Sequence, residues 1–340
     1  MSQITIVGTG LIGTSLALAL QRSQQKDLRV VGTDSDHGAR GGADKRKAFD
    51  KIENRLNSAV RDADIVILAT PVLAMKGLLE ILGPNLKATC VVTDVGSSKK
   101  VVLDWAEEYL PNDINFVGGH PMAGKETAGP QSADADLFVG KTYCVVPGVN
   151  ASEQSVREVT TLAEIIGAKP FFIGVDEHDS FVAGASHLPF LLSMALVGCT
   201  SKSANWDDIA QLASSGYRDI SRLASGDTVM HRDICVSNSA SIVPWIDSFI
   251  RELYEFRKVL DTNEELDGEA IKTFFDDAFV ARSKWMAGEV NSEARNFNAN
   301  RELPTFAESM SEMFMGRKAI EATKKIQSVW GGGGKGTDPR

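Results

Sequence analysis

The sequence has few cysteines and no long apolar run. Its four cysteines (Cys90, Cys144, Cys199 and Cys235) are far apart and form no CxxC pair. We interpret them as small buried residues in a reducing compartment rather than as disulfides or a metal site. No apolar run reaches the roughly 18 residues of a transmembrane helix, and no signal peptide precedes the first predicted strand. We therefore expect a cytoplasmic protein with no membrane and no metal.

Basic residues are fewer than acidic ones: the sequence has 36 Lys and Arg and 45 Asp and Glu, which gives a formal net charge of −9. This balance argues against nucleic acid and anionic membranes as partners, because both bind to basic patches on a protein surface. It is compatible with a small anionic substrate, which needs only a local basic pocket. The length of 340 residues and the apolar fraction of 43% indicate a globular protein of two domains with a sizeable core.

A glycine-rich turn follows the first predicted strand, residues 4–7, and precedes an Ala/Leu-rich helix. Its pattern is GxGxxG. The first glycine makes the turn, the second lets a pyrophosphate approach the backbone, and the third lets the helix pack on the strand. The alternative is a glycine-rich turn in an unrelated α/β protein. The candidate cofactor residues of this turn are Gly8, Gly10, Leu11, Ile12 and Gly13.

A carboxylate at the end of the second predicted strand favours NAD over NADP. Asp34 follows residues 29–33 and lies about 20 residues past the last glycine, where an acid binds the adenosine ribose hydroxyls. Its charge would repel a 2′-phosphate. Arg40 and Arg46 lie close enough in the sequence to temper that preference.

Predicted strands alternate with helices as far as residue 173, with a loop and a helix expected over 36–60. The strand 65–71 ends at Thr70 and Pro71, which should face the cofactor because ligands bind beyond the carboxyl ends of parallel strands. The alternation predicts a Rossmann-type, doubly wound parallel sheet over residues 1–174. We expect an all-helical substrate and dimerisation domain over 175–330 and a flexible tail over 331–340.

The segment 115–129 carries the strongest chemical signal, because it places His120 among four glycines directly after a buried strand. Histidine exchanges a proton near neutral pH, and glycines let the backbone approach a ligand closely. The alternative is a hydrogen-bonded histidine in a tight turn. Ser97, in the turn after an earlier strand, could cap the helix that follows, act in catalysis, or do both.

Beyond residue 176 the strand signals stop. A buried helix carries His187 and Pro189, and both residues destabilise such a helix unless they have a role. The alternative is a histidine that is hydrogen-bonded to backbone groups that the proline leaves unpaired.

Arg218 and Arg222 would share one face of a helix and suit a carboxylate clamp. The alternative is a surface face of salt bridges. Residues 237–328 have amphipathic stripes that suit a core or a dimer interface.

Six motifs occur in the order found in the prephenate and arogenate dehydrogenase family, and the chain resembles that family over roughly residues 3–260. The resemblance implies NAD-dependent oxidative decarboxylation of a cyclohexadienol in tyrosine biosynthesis. Hydride leaves the ring carbon that bears the hydroxyl, the ring carboxylate departs as CO2, and the ring becomes aromatic. It also implies a homodimer formed through the helical domain. The motifs lie at residues 8–20, 62–71, 93–99, 116–129, 178–189 and 214–222.

The same resemblance implies the roles of the site residues. As a neutral imidazole, His120 accepts a hydrogen bond and then the proton from the ring hydroxyl, and Ser97 orients both groups. Arg222 is the principal ligand of the substrate carboxylate, with Arg218 beside it.

The loop after His120 is implied to contribute two more substrate-binding residues. Glu126 controls access at the mouth of the site, and Lys125 precedes it. His187 is implied to be structural or to support the site from behind.

One departure from the family bears on the substrate. Many members that use prephenate read SHLPH, and here Phe190 replaces the last histidine, which helps to recognise the substrate side chain. We expect prephenate, with 4-hydroxyphenylpyruvate as the product; the alternative is arogenate, which gives tyrosine directly.

Two further functions are weighed against the dehydrogenase of this family. A β-hydroxyacid-type dehydrogenase generally uses a catalytic lysine, and the histidine loop argues against it. A non-catalytic nicotinamide-sensing protein would be expected to lose His120 or Arg222, and both are present.

Overall fold

The computed structural model describes residues 2–25, 27–261 and 265–290. The predicted tail (331–340) and the predicted helices beyond residue 290 lie outside the described residues. The described chain forms two compact units, residues 2–239 and residues 240–290.

The first unit contains a sheet of eight strands in the order β3-β2-β1-β4-β5-β6-β7-β8. The strands are β1 (Ser2–Val7), β2 (Leu28–Thr33), β3 (Lys51–Glu53), β4 (Ile65–Leu68), β5 (Val91–Asp94), β6 (Asn115–Pro121), β7 (Thr142–Pro147) and β8 (Lys169–Phe172). The helices around the sheet are α1 (Leu11–Arg22), α2 (His37–Lys45), α3 (Leu56–Val60), α4 (Val72–Leu82), α5 (Lys100–Tyr109) and α6 (Glu153–Ile165).

The sheet confirms the predicted doubly wound architecture. In β4 the fully buried sequence IVIL sends Ile65 and Ile67 into one hydrophobic cluster and Val66 and Leu68 into a second. Successive side chains of a strand point to opposite faces, so both faces of the sheet are covered by helices. This explains why the central strands are continuous apolar runs.

Two details of the sheet differ from the prediction. Strand β7 runs antiparallel to β6, whereas we expected parallel strands throughout; the two are joined by a loop, without the crossover helix that a parallel neighbour requires. The short edge strand β3 lies within the polar segment 36–60, where we expected only a loop and a helix. Three residues are too few to produce a periodic hydrophobic signal.

A helical region follows the sheet in the same unit. It comprises α7 (Val175–Val182), α8 (Leu188–Thr200), α9 (Trp206–Leu212), α10 (Ser215–Ser221), a 3-10 turn (Arg222–Ser225) and α11 (Thr228–Ser237). A π turn (Ala183–His187) joins α7 to α8 directly before Pro189. Because proline has no N–H and its ring collides with the preceding helical turn, this wider turn accommodates it.

The continuous helical segment Val175–Thr200 has the length and mean hydropathy (1.6) of a membrane span, and 28% of its apolar window is buried. Counting uninterrupted apolar residues missed this segment, because polar residues, including Ser186, His187 and Ser193, divide it. Length and composition alone are weak evidence for a membrane helix, since helices of soluble proteins can meet the same criterion.

The second unit contains most of α12 (Ser239–Leu260) together with α13 (Gly268–Met286). Phe256 packs edge-on against Phe274 and Phe275, with ring centroids 5.3 and 5.7 Å apart. All four cysteines are free thiols. Cys90 and Cys144 are buried as expected. Cys235 is only partly buried, and Cys199 is exposed, because it lies on a face of α8 that the described residues leave uncovered.

Candidate active site

The glycine-rich turn between β1 and α1 has the shape that a dinucleotide requires. Gly8 has φ +103°, and a Cβ added there would lie 2.3 Å from the Ala69 carbonyl oxygen. A Cβ at Gly13 would lie 1.9 Å from the Gly8 carbonyl oxygen, whereas one at Gly10 would meet nothing within 4 Å. Gly8 and Gly13 are thus required for packing, and Gly10 leaves open space beside the first turn of α1. The backbone N–H groups of Leu11 and Ile12 in that turn are suited to bind phosphate.

Asp34 lies beside this turn. Its Oδ2 accepts hydrogen bonds from the Thr9 backbone N–H (2.6 Å) and hydroxyl (3.2 Å). Arg40 donates to the Asp34 carbonyl oxygen, while Arg46 donates to the Ala133 carbonyl oxygen at 2.7 Å. The carboxylate is therefore held where ribose hydroxyls can reach it, and of the two arginines, Arg40 is the one bonded to Asp34.

Thr70 lies next to Gly8, with its methyl carbon 3.1 Å from the position of a Cβ added there. Its hydroxyl is buried with no hydrogen-bond partner among the described residues. Since buried polar groups are normally satisfied, this hydroxyl is free for a ligand group. Pro71, the N-cap of α4, follows it. Together with the turn and Asp34, these residues fit NAD.

A buried ion pair joins Asp94, the last residue of β5, to Lys99, the N-cap residue of α5. Both side chains have no exposure to solvent. Asp94 also accepts hydrogen bonds from the backbone N–H of Gly96 (2.8 Å) and of Gly119 (3.2 Å). A Cβ at Gly119 would lie 2.4 Å from the Tyr143 hydroxyl. The glycine before His120 is therefore required by packing as well as by access to a ligand.

His120, at the end of β6, is hydrogen-bonded to a second histidine. Its Nδ1 lies 2.9 Å from Nε2 of His178, and Nδ1 of His178 lies 2.7 Å from Oδ1 of Asp179. The Asp179 carboxylate accepts from the backbone N–H of Lys99 (2.7 Å) and Lys100 (2.9 Å) at the start of α5. We call His120, His178 and Asp179 the histidine chain. Because His178 occupies Nδ1 of His120, Nε2 remains for a ligand.

The surroundings keep the two imidazoles of the histidine chain neutral and its carboxylate ionised. Burial lowers the pKa of His120 well below its ordinary 6.5, and the nearby His178, Lys99 and His187 lower it further. Burial also lowers the pKa of His178, although the hydrogen bond to Asp179 opposes this. For Asp179 burial raises the pKa, but hydrogen bonds from His178, Lys100 and Lys99 outweigh it, and the carboxyl pKa falls below its ordinary value. His120 is therefore a neutral imidazole near pH 7, as a base must be.

Two of the predicted substrate residues are paired with each other: Arg222, at the start of the 3-10 turn, forms an ion pair with Glu126. Both side chains are about half exposed, so the pair is open to competition by another anion. Lys125 is bound instead to Asp134 Oδ2 (3.1 Å) and the Ser132 carbonyl oxygen (3.2 Å).

Arg218, on α10, is exposed and has no ion pair with a described residue. Among the described residues, Arg218 therefore takes no part in the salt-bridge face that was the alternative for these arginines, whereas Arg222 forms a half-exposed ion pair with Glu126. Ser97 is half-buried in the turn before α5, and the hydrogen-bond partner of His120 among the described residues is His178. The hypothesis that Ser97 caps α5 is wrong: Lys99 occupies the N-cap position, and the Asp179 carboxylate binds the free N–H groups.

Comparison with known proteins decides the family. Residues 16–171 match the model of the prephenate dehydrogenase nucleotide-binding domain, and residues 175–274 match that of the prephenate dehydrogenase dimerization domain. Over 274 residues the chain is 34% identical to the prephenate dehydrogenase of Bacillus subtilis, covering 80% of this chain and 73% of that protein. The chain belongs to the prephenate dehydrogenase family.

Proteins similar to this family member include enzymes that are named for different substrates. A cyclohexadienyl dehydrogenase of Zymomonas mobilis is 30% identical, over 82% of this chain and 94% of that protein. The structure of the Aquifex aeolicus prephenate dehydrogenase with hydroxyphenyl propionate and NAD+ superposes with a TM-score of 0.77, at 26% identity over 84% of this chain and 98% of that one. The Synechocystis arogenate dehydrogenase gives 0.70, at 27% identity over 83% and 99%. This family member is an NAD-dependent dehydrogenase.

His187 of this family member is held by a side chain rather than by backbone that Pro189 frees. Its Nδ1 lies 3.2 Å from Nδ2 of Asn238, which also donates to the Asp179 carbonyl oxygen at 2.9 Å. Burial lowers the pKa of His187 to about 4. Asn238 thus links His187 to α7, the helix that carries His178 and Asp179.

His178 and Asp179 were not predicted as site residues. Both lie within the family motif 178–189, and an adjacent His-Asp pair at the start of a buried helix was the available signal. Sequence reasoning missed them because their partners lie 58 and 80 residues away in the chain, a distance that only the packing of α7 against β6 and α5 closes.

Proposed function

We propose that this family member catalyses the NAD-dependent oxidative decarboxylation of prephenate to 4-hydroxyphenylpyruvate. The observation that carries the proposal is His120: a buried, neutral imidazole at the carboxyl end of β6 with Nδ1 bonded to His178 and Nε2 left for a ligand. A group of this kind suits removal of the proton from a ring hydroxyl.

The proposed roles of the residues follow the bonds that change. When bound, NAD supplies the acceptor for the hydride from the hydroxyl-bearing ring carbon. His120 takes the hydroxyl proton as the carbon–oxygen double bond forms. The bond to the ring carboxylate then breaks, its electron pair enters the ring, CO2 leaves, and the oxygen becomes a phenolate, which takes the proton back from His120 to give the phenol. We propose that Ser97 orients the hydroxyl beside His120.

We propose that Arg222 binds a substrate carboxylate in place of Glu126. The ion pair between these two half-exposed side chains supports this, because a carboxylate of the substrate can bind the guanidinium in place of the Glu126 carboxylate. Glu126 would then control access, and Arg218 and Lys125 would add positive charge around the bound dianion.

Arogenate is the second candidate substrate. It differs from prephenate by an amino group in place of the keto oxygen, and Phe190 stands where many prephenate users have a histidine. Phe190 is 6% exposed and stacks on His231, with ring centroids 4.2 Å apart and planes 7° apart. An imidazole is thus present next to this position on a different helix, which supports prephenate as the first candidate.

We also propose that the chain forms a homodimer. Within each chain, we propose a domain boundary between residues 174 and 175. The match of residues 175–274 to a dimerization domain supports the dimer, as do exposed apolar side chains within that range. These include Met194, Ile220, Ile250 and Leu253, each more than half exposed. A second copy that covers the exposed face of α8 would account for the apolar character of Val175–Thr200 without a membrane. We further propose a cytoplasmic location.

The test is NADH formation at 340 nm with prephenate and arogenate offered separately. We expect turnover of prephenate, and a fall in kcat of about 100-fold to 10,000-fold in His120→Asn, the range for loss of a general base. NAD affinity, measured by calorimetry, should be unchanged in the variant and serves as the control. Turnover of arogenate alone would select the second candidate. NAD binding with turnover of neither substrate would overturn the proposal and favour a nicotinamide sensor.

A further inference from the structure

We propose that His178 and Asp179 are positioning residues that hold His120 in the tautomer with hydrogen on Nδ1, so that Nε2 is the nitrogen that accepts a proton. The assignment of the tautomer rests on geometry alone. Its consequence for catalysis rests on the proposed function.

The Asp179 carboxylate determines the direction of its hydrogen bond with His178. Asp179 accepts hydrogen bonds from the backbone N–H of Lys99 (2.7 Å) and of Lys100 (2.9 Å). Backbone N–H groups can only donate, and an ionised carboxylate can only accept. The side chain is 5% exposed. The carboxylate is therefore an ionised acceptor, and Nδ1 of His178, which lies 2.7 Å from its Oδ1, must donate to it.

The protonation of His178 in turn determines that of His120. A neutral imidazole carries hydrogen on one ring nitrogen and a lone pair on the other. With its hydrogen on Nδ1, His178 has the lone pair on Nε2, which faces Nδ1 of His120 at 2.9 Å. His120 must donate from Nδ1, and its own lone pair is on Nε2. Each hydrogen bond in the series thus determines the direction of the next.

The opposite tautomer of His120 would have no function as a base. If Nε2 carried the hydrogen, Nδ1 of His120 and Nε2 of His178 would be two lone pairs facing each other, unless His178 were doubly protonated. Double protonation is disfavoured because His178 is completely buried and Lys99 is a nearby cation. Among the described residues, Asp179 is the one carboxylate hydrogen-bonded to His178, and Asp94 is already paired with Lys99.

A purely structural role for the pair is the competing account. Asp179 does bind the start of α5, and Asn238 holds its carbonyl oxygen at 2.9 Å. That account predicts that substitutions act through stability alone. It makes no prediction about the His120 tautomer.

The first experiment measures the tautomer without substrate. Protein labelled with 15N-histidine is examined at pH 7.5 by long-range proton–nitrogen correlation, and the His120 signals are assigned by their loss in His120→Asn. We expect hydrogen on Nδ1 and a lone pair on Nε2 for His120, and the same tautomer for His178. Hydrogen on Nε2 of His120 would overturn the proposal. The result is independent of whether prephenate is the substrate.

The second experiment compares two substitutions at one position. In His178→Gln the amide oxygen can accept from His120 Nδ1 while the amide nitrogen donates to Asp179; His178→Leu can do neither. We expect kcat/KM for prephenate to fall about 100-fold to 1,000-fold in the Leu variant and less than ten-fold in the Gln variant, with NAD affinity unchanged in both. The Leu variant should also show a mixture of His120 tautomers.

Several outcomes separate the accounts. Wild-type activity in a folded Leu variant overturns the proposal, as does equal loss of activity and of stability in both variants. If the Leu variant does not fold, the wild-type tautomer and the activity of the Gln variant decide. If the wild-type protein turns over neither substrate, the proposed function fails while the tautomer measurement still tests this inference.

Discussion

At the scale of residues, the site contains a pair of charged groups that are buried from water and bonded to each other. Lys99 and Asp94 are completely buried as a pair, and Asp94 accepts two further backbone hydrogen bonds. Removing one partner of such a pair leaves an uncompensated buried charge, which typically costs more than the pair itself contributes. The neighbouring residue, Lys100, forms an exposed pair with Asp104.

We therefore expect adjacent lysines to respond very differently to one substitution. Lys99→Met should lower the free energy of unfolding by about 3–5 kcal/mol, the range for a broken buried pair. Lys100→Met should change it by less than about 1 kcal/mol, as for exposed pairs, because its backbone bond to Asp179 remains. Urea unfolding followed by circular dichroism measures both. Equal effects would contradict the buried pair.

The pH dependence of activity is also determined at this scale. Burial, with His178 and Lys99 nearby, lowers the pKa of His120 well below 6.5, and protonation of His120 removes its function as a base. The neutral form therefore persists as the pH falls through 6.5. We expect kcat/KM for prephenate to keep its plateau at pH 6.5 and to fall only at lower pH. A midpoint of the acid limb at or above 6.5 would show that His120 is not in the environment described.

At the scale of elements, the glycines in the turn from β1 to α1 have different roles. Gly13 lies where a side chain would collide with the backbone of Gly8, whereas Gly10 faces open space and has φ −71°, which any residue adopts. The same GxGxxG pattern thus contains one glycine required by the fold and one required by the ligand.

Alanine at these two positions should separate folding from cofactor binding. We expect Gly13→Ala to destabilise the protein by about 1–3 kcal/mol or more through overpacking. Gly10→Ala should keep the thermal unfolding midpoint of the wild type and weaken NAD binding at least ten-fold, because its methyl group occupies the space left for the pyrophosphate. Calorimetry with NAD and thermal unfolding of both variants check this. A Gly10→Ala variant with wild-type affinity would contradict the assignment.

At the scale of the whole molecule, the proposed homodimer accounts for exposed apolar side chains on α12. Ile250 and Leu253 are 58% and 55% exposed on α12. Contiguous exposed apolar residues of this kind usually mark an interface, and a homodimer covers the same patch on both copies.

We expect the protein to sediment as a dimer, at twice the chain mass of 36.7 kDa. The double variant Ile250→Glu, Leu253→Glu should sediment as a monomer, because two charges on each copy would have to be buried without partners. Glu255→Gln on the same helix, which removes only an exposed ion pair, is the control and should remain dimeric. A monomeric wild-type protein at micromolar concentration would contradict the proposal.

The sequence alone determined the features that depend on local order. The alternation of buried strands and helices, the strand–GxGxxG–helix unit and the acid at Asp34 each lie within a short stretch, and their patterns result from backbone geometry and periodic burial. The identity of His120 as the central histidine was predicted in the same way. The roles of Ser97, Arg218, Arg222, Glu126 and Lys125 stay predictions from the family resemblance.

Only the tertiary structure decided which distant residues meet. The antiparallel direction of β7, the burial of Lys99 against Asp94 and the contact of His178 with His120 depend on how the elements pack. A sequence records that histidine, lysine and aspartate are present, but not which of them lose contact with water together. Since burial and hydrogen-bond partners determine pKa and tautomer, the chemical state of His120 is a property of the folded chain.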